Sequence, residues 1–308
     1  MKTFDLNNFD AVLKLLWVNK KFIATFTLVF AFILTSLSFL IPNNYESSAI
    51  FKIRDVNQNK PDIGNLGGYA ALAGVSLPTG GSVDTEYVVE ILKSKILLKE
   101  LLELDGFREK LFAANGYDFS NKKIKYKKRV FDSKTKTWKR KTDGLIGSIP
   151  SYIEIHEHSA YEKLKVSHDK STDFIKISFE HPSPYFAKDF IDVLVSTADS
   201  KIKEDDLDEA LKALEYLRNK IQEVEIEEIK ESIVLLIEEK LNTVMLANIH
   251  DNYSLMVIEP TFVPEEKSSP SRFFILVISI TLGLLISSIF IISIEFRNNY
   301  KNLQTNGS

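Results

Sequence analysis

The chain has 308 residues, of which 44% are hydrophobic and 26% are charged, with a formal net charge of −3 at pH 7. This is an ordinary composition for a folded protein, and the length suits one large domain or two small ones. The chain contains no cysteine, which excludes disulfides, thiolate nucleophiles and cysteine-ligated metal sites.

The first predicted element is a membrane span at residues 22–41, which follows a short N-terminal segment at residues 1–21. The span is a run without charges, FIATFTLVFAFILTSLSFLI, and a helix of that length crosses a hydrocarbon core of about 30 Å. A cleaved signal peptide would have a shorter apolar part and a small-residue cleavage site. We therefore expect a retained anchor.

Four further segments are predicted before the middle of the chain. Ser48–Asp55 alternates apolar and polar residues, as in a strand that leaves the membrane. Asn57–Gly81 holds six of the twelve glycines, which predicts a loop that encloses a short helix. Asp84–Gly106 predicts one helix with an aspartate cap and a glycine stop. The basic patch, Asn121–Lys141, carries eleven lysines and arginines.

In the second half of the region between the two predicted spans, the residue pattern predicts a strand hairpin at Lys163–His181 and a helix that begins after Pro184. Residues 205–250 contain neither glycine nor proline, and their apolar spacing predicts one long helix of about 68 Å. Such a helix would project from the membrane or pack beside copies of itself. The spacing leaves open a break near Glu227–Glu228. Tyr253–Pro260 predicts a strand that returns to the sheet.

The chain ends in a proline-rich segment at residues 259–272, a second predicted span at residues 273–294 and a tail at residues 295–308. The second span also lacks charges over its length, and in lipid each span must be a helix because no other partner satisfies its backbone. The prolines fix their own φ and restrict the residue before each, so a stiff strut and a plain linker are both open interpretations.

Basic residues beside the spans predict the orientation. Lys14, Lys20 and Lys21 precede the first span, and Arg297 and Lys301 follow the second. Basic residues near span ends favour the cytoplasm, so we expect both termini inside and residues 42–272 in the periplasm. The tails are too short for a kinase or cyclase domain.

The sequence predicts no catalytic residue, cofactor site or metal site. The glycine-rich segment lacks the ending of a phosphate-binding loop, and the chain has no G-x-S-x-G motif. His156 and His158 would share one face of a strand, but a closed zinc site needs four ligands. Surface histidines are the favoured interpretation. The protein is predicted not to be an enzyme.

Three interpretations apply to the basic patch, where Tyr126, Phe131 and Trp138 stand among the basic residues. Nucleic acid binding fits the composition but not a location outside the membrane. Contact with an anionic glycan or with lipid headgroups suits the charge better. A solvated hairpin or loop is favoured.

The proline-rich segment resembles the motif that precedes the last span of polysaccharide co-polymerases, the O-antigen chain-length determinant (Wzz-like) family. That motif has spaced prolines, then a proline, four residues, Ser-Pro and a basic residue, followed by a glycine-containing span. The residues of this chain that carry the resemblance are Pro260, Pro264, Ser269, Pro270, Arg272 and Gly283.

Other stretches are similar to the family in chain order, from FDAVLKLLWVNKKFI at the first span to YSLMVIEPTFVPE near the second. The resemblance implies an α+β fold: two transmembrane helices flanking an extracytoplasmic domain, with a membrane-proximal mixed base and a long protruding helix. It also implies a homo-oligomeric ring without catalytic residues.

The function that the resemblance implies is non-enzymatic control of polysaccharide chain length, of the lipopolysaccharide O-antigen type, in the bacterial inner membrane. The expected partners are further copies of the chain, a membrane polysaccharide polymerase, membrane lipids and a lipid-linked glycan. The alternative is an adaptor for capsule or exopolysaccharide export that works with a separate cytoplasmic kinase. Glycan class, modal length and subunit number are not predicted.

Overall fold

The computed structural model describes residues 9–54, 85–144, 146–157, 161–250 and 252–305. The chain divides into two compact units, a helical unit of residues 1–43 and 267–308 and a mixed unit of residues 44–266. The predicted loop at Asn57–Gly81, with its short helix near Tyr69–Ala73, lies outside the described residues.

The elements follow one another in this order. The chain begins with α1 (Phe9–Val18), α2 (Lys20–Ser38), β1 (Tyr45–Ile53), α3 (Thr85–Lys93), α4 (Lys95–Leu101) and α5 (Phe107–Ala113). It continues with β2 (Ala114–Asp118), β3 (Lys123–Tyr126), β4 (Phe131–Asp132), β5 (Thr137–Trp138), α6 (Tyr152–His156) and a 3₁₀ turn (Tyr161–Lys163). It ends with β6 (Leu164–Asp169), β7 (Phe174–His181), α7 (Pro184–Glu223), α8 (Glu227–Ile249), β8 (Leu255–Glu259) and α9 (Arg272–Thr305).

The helical unit contains two helices that are long and apolar enough to cross a membrane. The first is α2, which has 19 residues and a mean hydropathy of 1.8. The second is the part of α9 from Arg272 to Arg297, which has 26 residues and a mean hydropathy of 2.8. The helices begin within two residues of the predicted spans. These two helices fit a membrane protein that has an extramembrane unit.

The mixed unit is built on an antiparallel sheet of four strands in the order β6-β7-β1-β8. Alternate residues of β1 and β7 point to one face, so Phe51 lies opposite Ile175 and both are buried. Helix α7 covers this face with Phe186, Phe190 and Leu194. The strands predicted from alternation and the helix predicted after Pro184 are therefore confirmed, and the protein has the predicted α+β class.

The prediction of one continuous helix at residues 205–250 is wrong, because the structure has two helices there. Helix α7 runs for 40 residues, about 60 Å, and ends at Glu223. Val224 and Ile226 then have extended backbones, with ψ of 130° and 120°. Helix α8 returns along α7, and the pair buries Leu217 against Ile233. The chain therefore forms a helical hairpin, with its turn beside the Glu227–Glu228 break that the spacing left open.

The helix predicted at Asp84–Gly106 is also divided. Helix α3 ends at Lys93, and Ser94 starts α4 because its side chain accepts a hydrogen bond from the Leu97 N–H at 3.1 Å. Gly106 lies in the left-handed region, with φ of 72°, and begins α5. A serine hydroxyl can accept a hydrogen bond from a backbone N–H and so start a new helix. The spacing of apolar residues does not reveal such a cap.

The basic patch contains strand β3, which pairs with the preceding strand β2, and the whole of the small hairpin β4–β5. Most of its basic side chains are exposed. Arg140 is the half-buried member, because it pairs with Glu154 and its guanidinium lies 4.8 Å from the Phe112 ring centroid. The sequence favoured a solvated hairpin or loop, and the structure has exposed hairpins here.

Candidate functional site

The first part of the proline-rich segment is fastened to the sheet and to α7. Pro260 directly follows β8 and is exposed. Thr261 Oγ1 donates to Asp192 Oδ1 at 2.5 Å, and Ser47 Oγ donates to the Phe262 carbonyl at 2.7 Å. Pro264 is buried within the mixed unit. These contacts hold the chain after β8 in one path across the unit.

The second part of the segment belongs to the helical unit. Ser269 and Pro270 are half-buried and precede α9. Arg272 begins α9, donates to Asn43 Oδ1 at 2.9 Å and places its guanidinium carbon 4.4 Å from the Phe39 ring centroid. The hydrogen bond and the cation–π contact fix the start of α9 against the chain that follows α2.

Gly283 lies where α9 meets α2. A Cβ at this position would approach Thr27 Cα to 3.1 Å and Phe30 Cδ1 to 3.4 Å. Ser279 and Ser287, one turn to either side, are also buried, and their hydroxyls donate to carbonyls of α9 itself. The three small residues therefore let the two backbones approach closely, as small residues do between membrane helices.

A buried carboxylate that the sequence analysis missed holds the return from the helical hairpin to β8. Asp199 of α7 is 5% exposed and accepts hydrogen bonds from the backbone N–H groups of Tyr253, Ser254 and Leu255 at 2.7–3.0 Å. Its second bond to Ser254, from the hydroxyl, is 2.7 Å long. The sequence did carry a signal for it, because Asp199 precedes Ile202 by three residues and therefore lies on the apolar face of α7.

The same region pairs the buried phenol of Tyr253 with a half-buried carboxylate. Tyr253 donates its hydroxyl to Asp206 Oδ2 at 2.7 Å. Burial and this hydrogen bond raise the pKa of Tyr253, and burial raises the pKa of Asp206. The raised pKa of Tyr253 keeps the phenol protonated as the donor, so the pair fastens the start of β8 to α7.

His181 is a second buried group that the sequence analysis missed. Its Nε2 donates to the Lys110 carbonyl at 2.9 Å, and its Nδ1 accepts from the Ser183 N–H at 3.0 Å. Both ring nitrogens are therefore used by the neutral imidazole. Burial lowers the pKa of His181 to about 4. The signal in the sequence was a histidine between a strand and the Ser-Pro that starts α7.

The pair of histidines predicted on a strand is not found. His156 ends the short helix α6, and its Nε2 lies 3.1 Å from the Lys93 carbonyl oxygen. His158 is outside the described residues. Among the residues that the structure describes, no group of three metal-ligating side chains comes together.

The N-terminal third of the chain is similar to a known family. Residues 4–103 match the family described as "Wzz: Chain length determinant protein". That segment includes α1, α2, β1, α3 and α4. The Wzz-like resemblance predicted from the sequence is therefore confirmed over residues 4–103. The search of curated proteins gives no match.

The solved structures that are similar to the chain include two polysaccharide co-polymerases. One is a full-length bacterial polysaccharide co-polymerase with 12% identity, which covers 97% of this chain and 99% of that chain at a TM-score of 0.42. The other is a fragment of WzzB, a polysaccharide co-polymerase from Salmonella Typhimurium. It has 11% identity and covers 74% of this chain and 100% of that chain at a TM-score of 0.27.

Proposed function

We propose, from the Wzz-like segment at residues 4–103, that this protein is a non-enzymatic regulator of polysaccharide chain length. It acts as an oligomeric co-polymerase that sets the modal length made by a partner polymerase on a lipid-linked glycan of the O-antigen type. The family match is the observation that carries this proposal. The two apolar helices beside a large mixed unit support it.

The proposed location is the bacterial inner membrane. Lys14, Lys20 and Lys21 near α2, and Arg297 and Lys301 at the far end of the second span, favour both termini in the cytoplasm. Residues 42–272 then lie in the periplasm. A segment of this length is translocated regardless of its own charge.

The proposed oligomer uses the helical hairpin. Large apolar side chains are exposed on both helices, at 50% for Tyr216 of α7 and 50% for Val234, 46% for Leu241 and 50% for Met245 of α8. Exposed apolar side chains gain free energy when a partner covers them. The proposed partner is a second copy of the chain, so protein in nanodiscs should have the mass of several subunits.

The described groups suit positioning rather than chemistry. The buried side chains of Asp199 and His181 form hydrogen bonds to backbone groups of the fold. The proposed working parts are Pro260, Pro264, Ser269, Pro270, Arg272 and Gly283. In this proposal the prolines stiffen the chain between β8 and α9, and Gly283 sets the approach of α9 to α2. Length control then depends on fixed subunit geometry.

A strain without the protein tests the proposal on one gel. We expect it to make abundant surface glycan whose length distribution has lost its mode, and the wild-type gene should restore the mode. An unchanged distribution would contradict the proposal. Loss of exported glycan would instead favour the alternative, an export adaptor that works with a separate kinase.

A further inference from the structure

Four aromatic side chains from three distant parts of the chain form one surface cluster on the mixed unit. Phe119, in the turn between β2 and β3, lies 5.7 Å from Tyr45 and 5.0 Å from Tyr117, measured between ring centroids. Tyr117 lies 5.8 Å from Tyr185 at the start of α7. We call these four residues the aromatic cluster.

The cluster leaves much apolar surface in solvent. Phe119 is 57% exposed and Tyr185 is 46% exposed. The neighbouring hairpin β4–β5 behaves differently, because Phe131 is 5% exposed and packs 5.1 Å from Trp138. Hairpin β4–β5 therefore covers most of its aromatic surface, whereas the turn of hairpin β2–β3 presents Phe119 outward.

The outward rings stand next to unpaired positive charge. The run Lys122–Arg129, KKIKYKKR, has six basic residues and no acidic one. Lys122 and Lys123 are exposed and form no ion pair within the described part of the chain. The nearby acid, Asp118, is already used, because it accepts from the N–H groups of Ser120 and Asn121 and lies 3.7 Å from Lys125 Nζ.

Aromatic rings beside lysines have the chemistry of a membrane–water interface. Tyrosine places an apolar body and a polar tip at headgroup depth, and lysine is attracted to anionic headgroups. The chain connection also favours lipid over a distant sugar chain. Tyr45 follows the last residue of α2 by seven positions, and a chain of that length reaches at most about 25 Å.

We propose that the aromatic cluster, with Lys122 and Lys123, is a docking surface for anionic phospholipid headgroups of the outer leaflet. The rings would enter the headgroup layer while the two lysines pair with phosphates. This inference rests on α2 being a membrane span and on the proposed periplasmic location of residues 42–272, and it is independent of the proposed control of glycan length.

The absence of cysteine allows a clean test in the full-length protein. Ser120→Cys, beside Phe119, is labelled with a fluorophore, and the protein is placed in nanodiscs that contain a headgroup-attached quencher. One set of discs contains about one-third phosphatidylglycerol and the other only phosphatidylcholine. Ser133→Cys, in the turn of the hairpin β4–β5, is the matched control because that turn is basic but has no outward rings.

We expect strong quenching at position 120 in anionic discs, weaker quenching in neutral discs, and little at position 133 in either. Each lysine near an anionic surface contributes about a fivefold factor, so Lys122→Glu with Lys123→Glu should lower the docked-to-free ratio by roughly 25-fold or more. Lys134→Glu with Lys136→Glu should have no effect. Phe119→Ser should weaken docking while the lysines remain.

Two results would overturn the proposal. The first is equal quenching in anionic and neutral discs at position 120. The second is contact that appears only after a lipid-linked glycan is added, which would assign the surface to sugar. An unchanged thermal unfolding transition in each variant establishes that lost quenching does not come from lost folding.

Discussion

Replacement of Gly283 by leucine should separate α2 from α9. A Cβ at position 283 would lie 3.1 Å from Thr27 Cα, whereas carbon–carbon contacts are optimal at about 3.5–4.0 Å. The helices must therefore move apart by about 0.4–0.9 Å for the Cβ alone. Leucine adds three more carbons, and overpacking of this kind costs about 1–3 kcal/mol. The equilibrium ratio of packed to separated helices should fall by about 5- to 150-fold.

Cross-linking measures this separation directly. The rings of Phe22 in α2 and Phe290 in α9 stack with centroids 6.1 Å apart, and the chain has no other cysteine to interfere. The double variant Phe22→Cys/Phe290→Cys should form a disulfide quickly under mild oxidation. Adding Gly283→Leu should slow that reaction by at least about fivefold, the lower end of the packing estimate.

The matched control is Thr281→Leu, which places the same leucine side chain at an exposed position two residues away. This control should cross-link at the rate of the parent. In cells, Gly283→Leu should leave the protein level unchanged and shift the glycan length distribution. If Gly283→Leu cross-links at the parent rate and gives a wild-type distribution, the close approach of α2 and α9 has no role in length control.

Three further predictions follow from buried or restrained groups. Replacing both Pro264 and Pro270 with alanine should give abundant glycan of broadened or shifted length from normally inserted protein, and an unchanged gel would favour a plain linker. Because His181 has an ordinary pKa of 6.5 unfolded and about 4 folded, the unfolded state binds more protons between these values. Stability should be full above pH 6.5 and fall by about 2 kcal/mol at pH 5, and urea unfolding of His181→Gln should lack this loss; an equal loss in both would contradict the assignment. Asp199→Ala leaves three backbone N–H groups without an acceptor, and it should lower the free energy of unfolding in urea by about 3 kcal/mol or more. Asp208→Ala, which removes only an exposed i,i+4 pair, should cost about 0.5 kcal/mol or less, so equal costs would contradict the role of Asp199.

The sheet and the spans could be predicted because their signals are local. Alternation over β6 and β7 reports one buried face, and charge-free runs report helices of membrane length. The partner of Gly283 could not be predicted in the same way. A small residue on a span indicates a helix contact, but only the structure identifies that helix as α2 of the same chain.

The helical hairpin shows why a periodic pattern can mislead. No glycine or proline marks its turn. Instead Val224 and Ile226, whose branched side chains lose freedom in a helix, have extended backbones. The turn also depends on distant contacts, because folding back buries Leu217 against Ile233 and brings Lys240 to 3.6 Å from Glu209. Asp199 was missed for the same reason, since its backbone partners are more than 50 residues away.

Purified components give the most direct test of length control. The protein would be reconstituted with its polymerase and lipid-linked repeat units, and the number of units per product chain would be measured with and without it. We predict that the protein narrows the distribution around one mode while the total number of units joined changes little. A distribution that is the same in both reactions, from protein that is oligomeric and correctly inserted, would contradict the proposed function.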